Sequence, residues 1–230
     1  MDDVTTAFGG PIEGLAIVHE DERILVVDKP SGLLSQPGLT VSDSVTTRVR
    51  AARPEASGPL MMHRLDMDTS GLLVLAKDAE AHRRLSVQFE RREILKRYRA
   101  RLERAPSALG GRIALPLRAD PHDRPRQIVC PGEGRPSVTL WHGLGPGDPR
   151  DVVFLPLSGR THQLRVHAAD PRGLGVPIAG DRLYGPEAHP AGRLMLHAEL
   201  LGFTHPGSGE RQLWHAPAPF GRRSPGSAPS

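Results

Sequence analysis

The most regular pattern of polar and apolar positions is a strict alternation over residues 97–102. Three arginines alternate there with Tyr98, Ala100 and Leu102, which predicts a β-strand with one charged face and one largely apolar face. Continuous apolar runs predict buried strands at 24–27, 72–76 and 152–157. Helical spacing of apolar residues, with turn and cap signals, predicts helices over 42–53, from an N-cap at Asp78 to Glu93, and over 162–169.

The balance of these elements favours an α+β fold on a largely antiparallel sheet, because strands outnumber helices. Residues 105–150 are rich in Gly and Pro, so we expect hairpins and loops there. A chain of 230 residues can bury a substantial core. One large domain or two small ones would fit this length, and the stretch past Phe220, rich in Gly, Pro and Ser, predicts a disordered tail over 221–230.

Charge is distributed unevenly along the chain. The formal net charge is only +4, but residues 82–104 hold nine Lys or Arg and three Glu. Such a basic stripe is typical of proteins that bind a polyanion, although arginine-rich codon usage would give a similar composition. The single cysteine excludes an internal disulfide and a site of clustered cysteine ligands. Acids stand where a signal peptide would have bases, and no apolar run could span a membrane, so we expect a cytoplasmic protein without a membrane partner.

A polar stretch over 63–71 lies between two apolar segments and holds the first candidate for chemistry. Asp66 is flanked by Leu65 and Met67, which would limit its access to water. A cation must then keep this carboxylate ionised if it is to act as a nucleophile or base. Arg165, in the first turns of the third predicted helix, could offer it a bidentate guanidinium. Solvated acids in a turn and a solvated helix arginine are the alternative interpretations.

Tyr98 is the second candidate, because it is one of two tyrosines and stands within the basic strand. It could stack on a nucleobase or simply belong to the core. The eleven histidines show no spacing typical of a metal site. Asp66-x-Asp68 resembles the aspartate pair of magnesium-dependent phosphatases of the haloacid dehalogenase type. That motif should end a parallel strand and precede a helix, whereas here an apolar strand follows.

Several motifs together resemble those of the RluA-type pseudouridine synthases. The run His63-Arg64-Leu65-Asp66-x-x-Thr69-Ser70-Gly71 is similar to the family's catalytic motif. Residues 37–38 and 123–127 resemble members with dual specificity for transfer and ribosomal RNA. Further matching segments follow the family's order, so that the resemblance covers roughly residues 15–220; they are 28–35, 96–98, 159–167, 180–184 and 196–198.

The resemblance implies a pseudouridine synthase catalytic domain over residues 15–220, preceded by an N-terminal extension over 1–14. This domain is expected to have a mostly antiparallel mixed sheet, a central cleft, and flanking helices and loops. It implies an enzyme that isomerises uridine to pseudouridine in stem-loops of tRNA, 23S rRNA or both. Neither a metal nor an organic cofactor is implied. RNA is the expected partner, without DNA or membrane, and the protein is expected to be a monomer.

The same resemblance implies roles for four residues. Asp66 is the essential catalytic residue, and Arg165 pairs with it and keeps it ionised. Tyr98 packs against the target uracil, and Arg64 enters the space that the uridine leaves when it is displaced from its stack. Lys29 lies in a matching motif without an assigned role. An RNA-binding protein on the same fold that has lost its activity is the alternative from another functional class.

Overall fold

The structure, a computed structural model, describes residues 10–145, 147–186, 190 and 192–220. The expected tail over 221–230 and most of the expected N-terminal extension lie outside these residues. Within them the elements are, in chain order, β1 (Ala16–Glu20), β2 (Ile24–Lys29), α1 (Val45–Ala52), β3 (Ser70–Ala76), α2 (Ala79–Glu90), β4 (Leu95–Arg101), β5 (Gly110–Ala114), β6 (Leu117–Ala119), β7 (Gln127–Val129), β8 (Val138–Gly143), β9 (Asp151–Pro156), α3 (Gln163–Ala169), β10 (Leu196–Thr204) and β11 (Arg211–His215).

Nine strands form one mixed sheet in the order β1-β2-β3-β10-β4-β9-β8-β5, with β11 paired to β10. Strands β6 and β7 form a separate hairpin. The only parallel pairing among the described strands joins β3 to β10, through Ser70–His197 and Gly71–Ala198. The predicted α+β class with a mostly antiparallel sheet is therefore confirmed.

Alternate residues of β2 and β3 face opposite sides of the sheet, as the two-residue period of a strand requires. Leu25, Val27, Leu73 and Leu75 pack with Val45 and Val49 of α1, whereas Ile24, Val26, Leu72 and Val74 pack with Ala81 and Leu85 of α2. A further cluster lies between β4, β9 and α3 and includes Ala100, Phe154 and Leu164. Both faces of β2 and β3 are thus buried, which explains their continuous apolar runs.

The centre of the sheet brings the start of β3 close to β4. Gly71 has a φ of +115°, and a Cβ there would collide with the backbone of Ala198 on β10. Glycine is therefore required for this close approach. On the other side of β10, Ala198 is paired with Tyr98 of β4. This register places the segment that precedes β3 near Tyr98.

Most predicted elements are confirmed. Ser44 and Thr47 form the capping box of α1, and the Asp78 carboxylate accepts the Ala81 N–H at 2.9 Å as the N-cap of α2. Helix α2 ends at Glu90 rather than Glu93, because Arg92 takes a left-handed conformation with a φ of +60° that reverses the chain into β4.

Two strands near the end of the chain were not predicted. Strand β10 is central in the sheet, but polar and charged residues interrupt its apolar positions. Strand β11 lies in a stretch rich in Gly and Pro, and it is defined by its pairing with β10.

Candidate active site

The loop that carries Asp66 is fastened to the chain segment that follows β2. The fully buried ammonium of Lys29 donates to the carbonyl oxygens of Pro30, Leu33 and Met67 at 2.9, 2.7 and 2.9 Å. Burial lowers the pKa of Lys29 to about 8, and the negative charges of Asp66 and Asp68 oppose this shift. Three carbonyl acceptors satisfy the three protons of the ammonium, so Lys29 joins two segments of backbone beside the site.

Two serines of the same segment complete the attachment. The Ser35 hydroxyl donates to the Leu65 carbonyl at 2.7 Å and accepts the Leu65 N–H at 3.1 Å. The Ser31 hydroxyl donates to the Asp68 carbonyl at 2.6 Å. The backbone is thereby held immediately before and after Asp66. These contacts account for the location of residues 28–35 beside the catalytic motif.

Asp66 lines a cleft of about 1120 Å³, together with residues 62–65, 92–96 and 155–165. Its side chain is 21% exposed. Leu65 is buried as expected, but Met67 is 45% exposed and does not shield the carboxylate. The other residues that line the cleft, rather than the sequence neighbours alone, therefore limit access of water to Asp66.

Arg165 is the cation that the structure brings to Asp66. Its Nη1 lies 3.9 Å from Asp66 Oδ2, and its side chain is 3% exposed. The bidentate contact goes to Asp181 instead, with Nε and Nη2 at 2.8 and 2.6 Å from the two carboxylate oxygens. The sequence had led us to expect that contact with Asp66. A guanidinium has two edges, and here one holds the side chain while the other faces the cleft.

Asp181 was not selected from the sequence as a site residue, although it lies in one of the matching segments. Its side chain is completely buried, and its Oδ1 also accepts the N–H groups of Leu183 and Tyr184 at 3.0 and 3.1 Å. A buried carboxylate with several donors and a bidentate arginine is fixed in position. No spacing signal identifies it, because 16 residues separate it from Arg165.

Tyr98 lies between two core clusters and also lines the cleft. Burial, and secondarily the negative charge of Asp66, raise the pKa of Tyr98 above its ordinary value. The phenol is therefore neutral at physiological pH. Its position agrees with both interpretations from the sequence, since one part of the ring belongs to the core and another part borders the cleft.

His162 is a further cleft residue that the sequence analysis did not select. It takes a left-handed conformation with a φ of +53° at the N-cap of α3, and its Nδ1 lies 2.7 Å from the Tyr184 hydroxyl. That hydroxyl accepts the Gln127 N–H at 2.7 Å, so its own proton is available for Nδ1. Burial lowers the pKa of His162 and raises that of Tyr184 to about 12. A neutral imidazole with its proton on Nε2 follows from this arrangement.

The loop before α3 is shaped by Gln163. Its Oε1 accepts from the Ser158 hydroxyl at 2.9 Å and the Arg160 N–H at 3.0 Å, while its Nε2 donates to the Val138 carbonyl at 3.0 Å. Arg64, which is exposed, donates to Thr161 of this loop at 3.2 Å. Arg64 lines the cleft without contacting Asp66, consistent with its place two residues earlier in the chain.

Comparison with known proteins decides the family. A family model described as RNA pseudouridylate synthase matches residues 23–170. The chain is 45% identical over 212 residues to the dual-specificity RNA pseudouridine synthase RluA of Escherichia coli K12, covering 90% of this chain and 94% of that protein. The chain belongs to the RluA-type pseudouridine synthase family. It is an isomerase that converts uridine to pseudouridine in RNA, and the two alternative functions are not favoured.

Other relatives agree with this assignment. The RluA of Pasteurella multocida is 41% identical over 212 residues, covering 90% of this chain and 94% of the relative. Human RNA Pseudouridylate Synthase Domain Containing 1 has a similar structure, with a TM-score of 0.72 and 31% identity, covering 92% of this chain and 86% of that chain. The pseudouridine synthase fold is thus shared with a solved structure.

The remaining features of this pseudouridine synthase concern metal ligands, membrane spans and the basic stripe. No three metal-ligating side chains are grouped among the residues that the structure describes, and no helix in that part of the chain could cross a membrane. Five of the nine bases in the basic stripe over 82–104 form ion pairs with carboxylates elsewhere in the fold. Arg83 and Arg84 pair with Glu80, Arg97 with Glu199, and Arg99 and Arg101 with Asp151.

Proposed function

We propose that Asp66 is the essential catalytic residue of this pseudouridine synthase, assisted by Arg165 and Tyr98. The observation that carries the proposal is the convergence of these three residues at one cleft from a loop, a helix and a strand far apart in the chain. Arg165 is nearly inaccessible to water and already held by Asp181, so it presents a fixed positive charge to Asp66. Such a charge can orient the carboxylate that the reaction needs.

The isomerisation balances within the substrate. The bond from N1 of uracil to the ribose C1′ breaks, the bond from C5 to C1′ forms, and N1 gains a proton while C5 loses one. A carboxylate can contribute as a nucleophile or as a base. Both routes require Asp66 to be ionised and the freed uracil to be retained, and the Tyr98 ring can hold the uracil by stacking.

We propose that Arg64 contacts the RNA. The target base must leave its stack before it can reach Asp66 in the cleft. Arg64 is exposed at the same cleft, and within the described part of the chain its side chain has one hydrogen bond, to Thr161. A long cationic side chain in this position can occupy the space that the displaced uridine leaves.

We infer that the substrates are stem-loops of tRNA, 23S rRNA or both. Two relatives that match 90% of this chain are dual-specificity RNA pseudouridine synthases, which supports more than one RNA substrate. We place the catalytic domain at residues 15–220 and expect it to act as a monomer in the cytoplasm, where these RNAs are found.

The test is pseudouridine mapping on unmodified RNA. Wild-type protein and Asp66→Asn are incubated in EDTA with tRNA transcripts and unmodified 23S rRNA, and carbodiimide-dependent stops of reverse transcription locate each product. We expect a small set of discrete sites with the wild type and none with the variant. RNA binding without any product from the wild type would support the inactive RNA-binding protein instead.

A further inference from the structure

Two bases of the basic stripe and one base of the loop before α3 meet at the cleft. Arg92, Lys96 and Arg160 all line the cleft that contains Asp66. No carboxylate within 4 Å neutralises any of them in the part of the chain that the structure describes, although Glu90 and Glu93 line the same cleft. Five other bases of the stripe, by contrast, are in ion pairs.

These three residues come from two segments that meet at the cleft. Arg92 and Lys96 belong to the turn and strand after α2, whereas Arg160 belongs to the loop before α3. The Lys96 ammonium lies 3.8 Å from the position that a Cβ at Gly159 would occupy, so it sits directly beside the Arg160 segment. The Arg160 Nε donates only to the Pro136 carbonyl, at 3.3 Å.

The charges of these residues oppose one another. Burial, and then the charge of Arg92, lower the pKa of Lys96. Burial, followed by the charges of Arg135 and Arg92, lowers the pKa of Arg160. Like charges that are partly removed from water and lack an ion-paired acid are unfavourable until an anion binds.

Arg92 adds a second, independent observation. The Arg92 N–H donates to the Phe89 carbonyl at 3.2 Å and the Glu93 N–H to the Gln88 carbonyl at 2.9 Å, which defines a Schellman motif at the end of α2. Arg92 occupies its left-handed position, with a φ of +60°. Glycine takes this conformation without strain, whereas arginine does not. The fold therefore retains an arginine at a position where glycine would be more stable.

We propose that Arg92, Lys96 and Arg160 form a binding site for backbone phosphates of the substrate RNA, next to the nucleotide that enters the cleft. The inference rests on the proposed function, because it assumes that RNA occupies this cleft. The sequence had indicated the whole basic stripe as the surface that binds a polyanion. The present proposal assigns the phosphate contacts to these three residues instead. The paired arginines of β4 then serve the sheet rather than the RNA.

The first test is the salt dependence of RNA binding. The dissociation constant of an unmodified tRNA transcript is measured by filter binding over a range of salt concentrations for wild type, Arg92→Gly, Lys96→Gln and Arg160→Gln. Each variant should weaken binding about five- to tenfold at moderate salt, and should reduce the slope of log K against log salt by about 0.7 to 1. Unchanged slopes in all three variants would overturn the proposal.

Arg50→Gln provides the charge-matched control, because Arg50 lies on the exposed side of α1 and does not line the cleft. Arg50→Gln should leave both the slope and the activity unchanged.

Arg92→Gly separates an effect on RNA binding from an effect on folding. It should raise the melting temperature by about 2 to 4 °C while it weakens RNA binding. A lower melting temperature together with weaker binding would mean that Arg92 has only a structural role.

Substitution in the RNA completes the design. A neutral methylphosphonate is placed at successive positions around the mapped uridine, and each RNA is tested with wild type and Lys96→Gln. When the methylphosphonate replaces the phosphate that Lys96 contacts, wild type and Lys96→Gln should bind that RNA equally well. The contact between Lys96 and this phosphate is then absent from both complexes. If no position shows this, Lys96 does not contact a phosphate. If wild type binds RNA but forms no pseudouridine, the proposed function fails independently of the phosphate site.

Discussion

Arg165 donates two hydrogen bonds to Asp181 while its remaining Nη1 lies 3.9 Å from Asp66. Asp181 thus determines where the positive charge beside Asp66 is held. We therefore expect Asp181 to act as a positioning residue, whereas Asp66, which lies farther from Arg165, is the acid proposed to act on the substrate.

Asp181→Asn should lower the catalytic rate about 10- to 100-fold with a much smaller effect on the dissociation constant of RNA. The amide removes the charge that holds Arg165, so the guanidinium can leave Asp66. The variant should also unfold more easily, because a buried cation then lacks its carboxylate. Asp170→Asn is the control, since Asp170 pairs with the exposed Arg172. Equal losses in both variants would contradict this role. Single-turnover kinetics and urea unfolding are the measurements.

Lys29 gives a prediction about pH. Because its pKa is about 8, the ammonium loses a proton as the pH rises through 8 and can no longer donate to all three carbonyls. The wild-type rate should therefore fall above pH 8. Lys29→Met should be slow at every pH, without this step.

Stability should move in the opposite direction to the rate. The folded pKa of Lys29 is below the unfolded value of about 10.5, so the unfolded state binds more protons between these two values. The contribution of Lys29 to stability consequently rises from pH 8 to 10.5. A rate and a free energy of unfolding that fall together would point to a general loss of structure instead.

Tyr98 is predicted to act through its ring. Tyr98→Phe keeps the stacking surface and the core contacts, and should retain more activity than Tyr98→Leu by at least about tenfold. Both variants place an apolar side chain in the core, so thermal unfolding can show whether their difference in activity comes from a difference in stability. Equal activities in two equally stable variants would argue against stacking on the uracil. The comparison uses pseudouridine formation at saturating RNA.

A buried charge network away from the site gives a prediction about folding. Glu20 accepts from Arg53 at 2.9 Å and from Lys77 at 3.0 Å, and all three side chains are less than 10% exposed. Burial alone would raise the pKa of Glu20, but these hydrogen bonds outweigh it and lower the pKa below its ordinary value. The network therefore stabilises the fold above pH 4.5, and this contribution is lost as the pH falls through the folded pKa.

Glu20→Gln should reduce the free energy of unfolding by about 3 to 5 kcal/mol at pH 7, because two buried cations lose the charge of the carboxylate that they share. The difference between wild type and variant should shrink at acidic pH. Glu80→Gln is the matched control, since Glu80 and its arginines are exposed, and it should leave stability nearly unchanged. A constant difference across pH would show that the charge of Glu20 is not responsible.

The sequence predicted the elements whose signals are local. Apolar runs located β2 and β3, and Asp78 located the start of α2. The motif residues Asp66, Arg165, Tyr98 and Arg64 were all recognised, and the structure places all four at one cleft. Their assigned roles remain predictions.

The contacts that position these residues were not predictable, because they depend on distant pairings. Asp181 becomes the partner of Arg165 only when the fold brings the 180–184 segment against α3. The sequence does not distinguish the bases of the stripe that are in ion pairs from those that are not. Asp151 and Glu199 lie about 50 to 100 residues from the arginines with which they pair.

The most direct test compares Asp66→Asn with Asp68→Asn in single-turnover pseudouridine formation, on the RNA that the mapping identifies. Both changes remove one carboxylate from the same loop, but only Asp66 lines the cleft with Arg165 and Tyr98. We expect Asp66→Asn to lose activity by at least about 10³-fold while it still binds RNA, and Asp68→Asn to stay within about tenfold of wild type. Substantial activity in Asp66→Asn would contradict the account of this site.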